Sequence, residues 1–422
     1  MPIDDSVPSH DRGIRRLRLP ALNANARVIF ALFMIHVVCS SAPLGIPALI
    51  PFIQSDLGLS LTELGGLSAS LSLGVAAAGL FTGWSGDIFG IRVMAGIGLS
   101  LAGIAFFIAS QSTTIPALVV LFALAGAGYS TITPATNKIV LQRVEKRLWG
   151  TAMGIKQTGA SVSGFLTALL FPIIGVHFGW STALAGAGAA IMICGITVFI
   201  VHRDPPAGDR QASRGNQRSL RRLLTNRDLV LLCVETALRV GIQFAVLTYL
   251  LLFSLDELKL SVPAGAAILA VCQIAGAVGR IFWGVVSDYC FGGRRKVVYV
   301  PLAFAASAIL LLLSFCDAAT PLPLLFLVAA GIGVSALGFQ GLGFSLTVAV
   351  VPQENVGAAS GLSMAFAFSG AVVMTPMFGY IVEHTHLFER AWQALALVAM
   401  ASACIVLFVR EPVAEKAPAA AE

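Results

Sequence analysis

An apolar run of about 20 residues recurs twelve times along this chain, each long enough to cross a hydrocarbon core roughly 30 Å thick as a helix. The runs cover 27–51, 62–83, 91–111, 115–137, 150–174, 180–201, 228–253, 262–286, 296–316, 321–345, 355–382 and 390–410, spans 1 to 12 below. Only 11% of the residues are charged, against about 25% in soluble domains. So few charges cannot cover a surface in water, so the surrounding solvent is a bilayer. The expected fold class is an all-α membrane protein. The seven cysteines are scattered through apolar runs without a CxxC spacing and read as small buried hydrophobes.

One long polar segment interrupts the runs, HRDPPAGDRQASRGNQRSLRRLLTNRD, from His202 to Asp228. It divides the chain into a tail (1–26), a six-helix bundle (27–201), a basic linker (202–227), a second six-helix bundle (228–410) and a C-terminal tail (411–422). Placing the N-terminus in the cytoplasm puts 21 of the 27 Lys and Arg residues on cytoplasmic segments. Only Lys259 and Arg390 fall on the other side. By the positive-inside rule both termini are therefore expected in the cytoplasm. The net charge of +6 is a topology signal. A nucleic-acid partner would need a soluble basic domain, which the chain lacks. The first run is too long for a cleaved leader and is expected to remain as a span.

The two halves repeat. LFTGWSGDIFGIR (80–92) follows span 2 and IFWGVVSDYCFGGRR (281–295) follows span 8. A shift of about 201 residues superposes Gly83 on Gly284 and Asp87 on Asp288. WGTAMG at the start of span 5 answers VGAASG at the start of span 11, and FPIIG (171–175) answers TPMFG (375–379). Parallel repeats with a substrate site between them are a transporter design.

Cations inside a bilayer are costly, about 2.5–3.5 kcal/mol each on insertion scales, and so face the bundle interior. Lys156, Arg239 and Arg280 sit at middle or inner depth on spans 5, 7 and 8. Each belongs to a polar stripe: Glu235, Arg239 and Gln243; Gln273, Arg280 and Ser287; Lys156, Ser163 and Thr167. Span 4 adds Tyr129, Thr133 and Asn137. The expected anion site comprises Arg280, Arg239, Lys156, Gln157, Gln243, Gln273, Tyr129 and Asn137; the competing reading is interhelical hydrogen bonding that only holds helices together. Glu235 is placed to pair with Arg239. With His36, whose imidazole titrates near neutrality, it is the candidate for proton coupling. Gly154 and Gly159 are expected to let span 5 pack closely. No HExxH, GxSxG, Walker loop or CxxC is present, so neither an enzyme, nor a metal, nor a cofactor is expected.

The loop residues Gly83, Asp87, Gly90 and Arg92, with their second copy Gly284, Asp288, Gly292 or Gly293, Arg294 and Arg295, resemble the major facilitator superfamily. That resemblance implies twelve helices in two pseudo-symmetric six-helix bundles, alternating access, and a loop cluster that latches the halves on the cytoplasmic side. Ile88 departs from the family pattern, which often has a basic residue there. Arg280, within AVGRIFWGVVSD, looks like the carboxylate-holding arginine of the oxalate/formate and monocarboxylate carriers. The lysine that the oxalate/formate type has in helix 11 is absent from GLSMAFAFSG (361–370). Lys156 stands in the repeat-related helix, opposite Ser363 by symmetry. The expectation is a monomeric secondary transporter of a small organic anion (a mono- or dicarboxylate) in a bacterial-type inner membrane, working by proton symport or by anion exchange, with membrane lipids, and in the symport case protons, as its other partners. A degenerate Gly159, Ala160, Ser161, Val162, Ser163, Gly164 run resembles the helix-five motif of drug/proton antiporters. Multidrug export is the alternative.

Overall fold

The computed structural model describes residues 24–145, 149–204, 223–352 and 356–411. The tails and the linker core (205–222) lie outside the described residues, as do the side chains at 83–88, which include the Gly83 and Asp87 positions. Twelve helical spans are present: Ala24–Leu57, Leu61–Gly79, Ile91–Ala109, Ile115–Arg143, Ala152–Phe178, Trp180–Val201, Arg227–Asp256, Val262–Cys290, Arg295–Ser314, Leu322–Ala349, Ala359–Thr385 and Phe388–Leu407. Large apolar side chains such as Phe30, Leu101, Phe107, Ile200, Leu327 and Leu397 stand exposed on their outer faces. In water such a collar would aggregate; in a bilayer it meets lipid.

Three spans are not continuous helices. Span 1 breaks between Cys39 and Ser41, and span 4 between Tyr129 and Ile132. Pro43 and Pro134 stand four residues after Cys39 and Ser130. Proline offers no N–H to those carbonyls and its ring crowds them. Span 10 has no such proline. Its irregularity is a π-helical turn, Gly333–Leu337, in which the Gly338 N–H reaches back five residues to the Gly333 carbonyl at 2.9 Å.

Packing follows the repeat. Span 1 lies on span 5, 2 on 4 and 3 on 6, while span 7 lies on 11, 8 on 10 and 9 on 12. The two sets meet where span 2 packs on span 11 and span 5 on span 8. Glycines permit the closest approaches: a Cβ on Gly74 or Gly126 would strike the backbone of span 4 or span 2, respectively. Gly159 meets Phe33 and His36 of span 1 in the same way, as expected. Gly154 and Gly284 do not; nothing lies near where a Cβ would stand, which corrects the expectation for Gly154.

The loop residues after spans 2 and 8 act as helix caps. Gly90, at φ 86°, turns the chain into span 3. The Ile91 and Arg92 amides donate to Asp204 at 2.8 and 3.1 Å, and Arg92 Nε donates to the Phe199 carbonyl at 2.6 Å. In the second half the Arg295 and Lys296 amides donate to Glu411 at 2.8 and 3.0 Å, and Lys296 Nζ donates to the Leu407 and Val409 carbonyls. Each acid neutralises the positive end of one helix, and each base the negative end of its neighbour. The counterpart of Arg92 is thus Lys296, a correction to the pairing with Arg294 and Arg295. Asp288 and Arg294 are exposed.

At the face opposite the linker the halves are sealed. Tyr249 on span 7 donates to the Leu61 carbonyl of span 2 at 2.7 Å, and Thr375 on span 11 donates to the Gly65 carbonyl at 3.0 Å. Thr62 donates through both its amide and its hydroxyl to Glu383. A Cβ on Gly379 would overlap the Leu61 carbonyl. Gly379→Val is expected to open this seal, raising the reactivity of a cysteine introduced at Ser68 toward a water-soluble maleimide; unchanged labelling would show that the seal tolerates the branch. Asp204→Ala and Glu411→Ala are each expected to lower stability by about 0.5–2 kcal/mol, read as a fall in unfolding temperature.

Candidate functional site

Arg280 is the one described cation at the seam of the halves that no carboxylate pairs with. Its Nη1 donates to Ser161 Oγ on span 5 at 2.7 Å, and its Nε to the Leu337 carbonyl on span 10 at 3.3 Å. Tyr129 on span 4 lies within electrostatic reach of the guanidinium. Its hydroxyl is 3.1 Å from Ser40 Oγ, at the break of span 1. Hydroxyls of spans 5 and 4 in the first half, the latter backed by Ser40 of span 1, and a carbonyl of span 10 in the second half thus surround one half-buried guanidinium, whose planar fork suits a carboxylate or phosphate. Seven residues along span 8, about 10 Å nearer the sealed face, Gln273 packs against Gly164 of span 5. Its buried Nε2 has no partner among the described residues.

The other expected cations lie elsewhere. Lys156 is only 2% exposed and donates to Thr136 Oγ1 on span 4 at 3.2 Å. It is held inside the first half, which corrects the placement opposite Ser363. His36 is its neighbour across Gly159, close enough for the two basic groups to act on each other. The His36 Nδ1 pairs with the Leu32 carbonyl at 3.1 Å, and Nε2 is buried without a partner among the described residues. Gln157 is exposed and Asn137 half-buried.

Arg239 is 1% exposed and sits within the wall of the second half rather than on its surface. Nη2 donates to the Ser335 carbonyl at 2.8 Å, and the guanidinium stacks over Phe339 at 4.5 Å and Tyr299 at 5.6 Å. Glu235, wholly buried, lies 3.8 Å from Arg239 Nε. It accepts from the Tyr299 hydroxyl at 2.9 Å and the Ser402 hydroxyl at 3.0 Å. Gln243 is engaged in the same half, its Oε1 accepting from Gln340 Nε2 at 3.0 Å. The expected cavity stripe of span 7 is therefore a packed polar core.

The π-turn of span 10, which the sequence reading does not contain, organises the site. A π-turn takes carbonyls out of the regular helical ladder. Val334, Ser335 and Leu337 turn theirs to Trp283, Arg239 and Arg280. The signal in the sequence is the glycine density of GIGVSALG (331–338), which spacing rules do not read as a π-turn. Ser40, Tyr299 and Ser402 are likewise unmarked in the sequence, because single hydroxyls in apolar helices carry no pattern; Ser161 is marked there only as part of the antiporter-like run, not as a partner of Arg280.

The sequence model described as Major Facilitator Superfamily matches residues 29–339 and 268–422. The Hexuronate transporter of Bacillus subtilis (strain 168) is 26% identical over 420 residues, covering 94% of this chain and 97% of that protein. The Hexose-6-phosphate:phosphate antiporter of Salmonella typhimurium is 26% identical, covering 86% and 84%. The Probable galactarate/D-glucarate transporter GarP of Escherichia coli (strain K12) is 24% identical over about half of each chain. Among solved structures, a point mutant of nucleoside transporter NupG superposes with a TM-score of 0.75 at 15% identity, covering 90% of this chain and 99% of that one. A bacterial homolog of human lysosomal Spinster, inward-facing and occupied, superposes at 0.71 with 14% identity, covering 92% of this chain and 97% of that one.

Arg239→Ala is expected to destabilise the protein by about 3–5 kcal/mol, because it strands a buried carboxylate. Arg239→Ala with Glu235→Ala should recover part of that loss. Chemical unfolding in detergent checks both, and equal loss in single and double variants would contradict the pairing.

Proposed function

Because the chain belongs to the Major Facilitator Superfamily, we propose that it is a secondary carrier of a polyhydroxylated organic anion, driven by proton symport. The observation that carries this reading is Arg280, a guanidinium without a carboxylate partner among the described residues, bridging the two halves through Ser161. A bound carboxylate supplies the missing charge. The relatives whose names speak of hexuronate, galactarate/D-glucarate and hexose 6-phosphate support an anionic, hydroxyl-rich cargo. The excess of cytoplasmic Lys and Arg supports an inner-membrane orientation with both termini inside. Multidrug export is disfavoured by the placement of the acid. A lipophilic cation needs a carboxylate on the cavity wall, and Glu235 is wholly buried behind it.

The test is uptake of labelled glucuronate into proteoliposomes under an inward proton gradient, with Arg280→Ala beside the wild type. Accumulation that collapses with an uncoupler and falls at least 10-fold in the variant is the expected result. Equal uptake by both proteins would remove Arg280 from the site.

A further inference from the structure

Two arginines of this protein, Arg239 buried and Arg280 half-buried, hang from one turn. Arg280 Nε holds the Leu337 carbonyl and Arg239 Nη2 the Ser335 carbonyl, two residues apart in the π-turn Gly333–Leu337. Both are cations, but only one is balanced. Arg280, at the seam, has no carboxylate partner among the described residues, while Arg239 is balanced by Glu235 at 3.8 Å. Adding one proton to Glu235 leaves Arg239 as a second net cation behind the same turn. Its screening by water is minimal there, because Glu235 and Arg239 are both sealed from solvent.

We propose that Glu235 and Arg239 form the proton-sensing element of the carrier, read out through the span 10 π-turn: proton uptake on Glu235 raises the affinity of Arg280 for the anion. This rests on the anion-carrier reading above and names its coupling residue. By linkage the effect is reciprocal, so anion binding draws a proton onto Glu235. One anion and one proton then move as a neutral pair, and the loaded carrier has the same net charge as the empty one. The groups that face the Glu235 carboxylate are Arg239 on its own span, the Tyr299 hydroxyl on span 9 and the Ser402 hydroxyl on span 12. Both hydroxyls donate to the ionised form, and Tyr299 also lies under the Arg239 guanidinium. His36 is the titratable ring of the opposite half nearest Lys156 and lies outside this network.

The experiment measures glucuronate affinity of the purified protein in nanodiscs from pH 8.5 to 5.5, a range over which a sugar-acid carboxylate stays ionised. Proton uptake on binding is followed with an indicator dye in weak buffer. The wild type is expected to bind about tenfold more tightly at the acid end and to take up protons with the anion. Glu235→Gln, which imitates the protonated acid, should bind tightly at every pH and take up none. Tyr299→Phe removes a donor to the carboxylate, so its binding profile should move to higher pH. His36→Gln should keep the wild-type profile. A Glu235→Gln protein with the wild-type profile and proton uptake overturns the proposal. Should that variant not fold, a Tyr299→Phe profile that coincides with the wild type overturns it equally. Wild-type binding that does not change with pH removes the coupling and leaves the anion site standing. No binding of glucuronate, glucarate or glucose 6-phosphate at any pH removes both.

Discussion

A charge inside a bilayer-embedded bundle must find neutralisation or hydrogen bonds within the protein, and the second half of this chain solves that problem with backbone. The π-turn of span 10 turns three carbonyls outward from the helix, and Trp283, Arg239 and Arg280 are built around them. A regular α-helix would spend those carbonyls on its own ladder and leave each guanidinium short of acceptors. The turn therefore determines where both arginines can sit, and through them where Glu235, Tyr299 and Ser161 find partners. The first half meets the same requirement differently. Lys156 relies on one hydroxyl, Thr136, and spans 1 and 4 are interrupted by proline instead of by a π-turn.

The architecture was legible in the sequence because lipid imposes a strong filter. Twelve apolar runs and a repeated loop motif each report on the same arrangement, and they do so without side-chain geometry. The site was legible only by residue type. Arg280 could be placed at the seam because its depth and its stripe agreed. Arg239 could not, because the i, i+4 spacing from Glu235 fits a cavity wall and a packed core equally well. What separates the two is Tyr299 and Ser402, which come from spans 9 and 12 and bear no sequence relation to Glu235. Lys156 misled for a related reason: symmetry places its Cα at the interface, but the long side chain runs to span 4.

The loop motif is instructive in the opposite sense. Repetition at matching positions pointed to a shared role, and the described part of each loop does share one. Asp204 and Glu411, neither of them within the motif, cap spans 3 and 9, while Arg92 and Lys296 bind the carbonyls that end spans 6 and 12. The motif marks one side of a reciprocal clasp whose other side lies about a hundred residues later. A local pattern cannot show its partner when the partner is a single acid in a polar stretch.

The Glu235–Arg239 pair also bears on how the protein reaches the membrane. Acid and base lie one helical turn apart on the same span, so the two charges in the interior of span 7 cancel as soon as it becomes a helix. It can partition from the translocon into lipid without waiting for a neighbour. Spans 5 and 8 have no such companion for Lys156 and Arg280. Each carries an insertion penalty of about 2.5–3.5 kcal/mol, and their hydrogen-bond partners Thr136 and Ser161 lie on other spans. For span 5 that partner has already been synthesised, and for span 8 it belongs to a bundle already complete. The order of the chain thus delivers both Lys156 and Arg280 to a membrane where a hydrogen-bond acceptor is waiting.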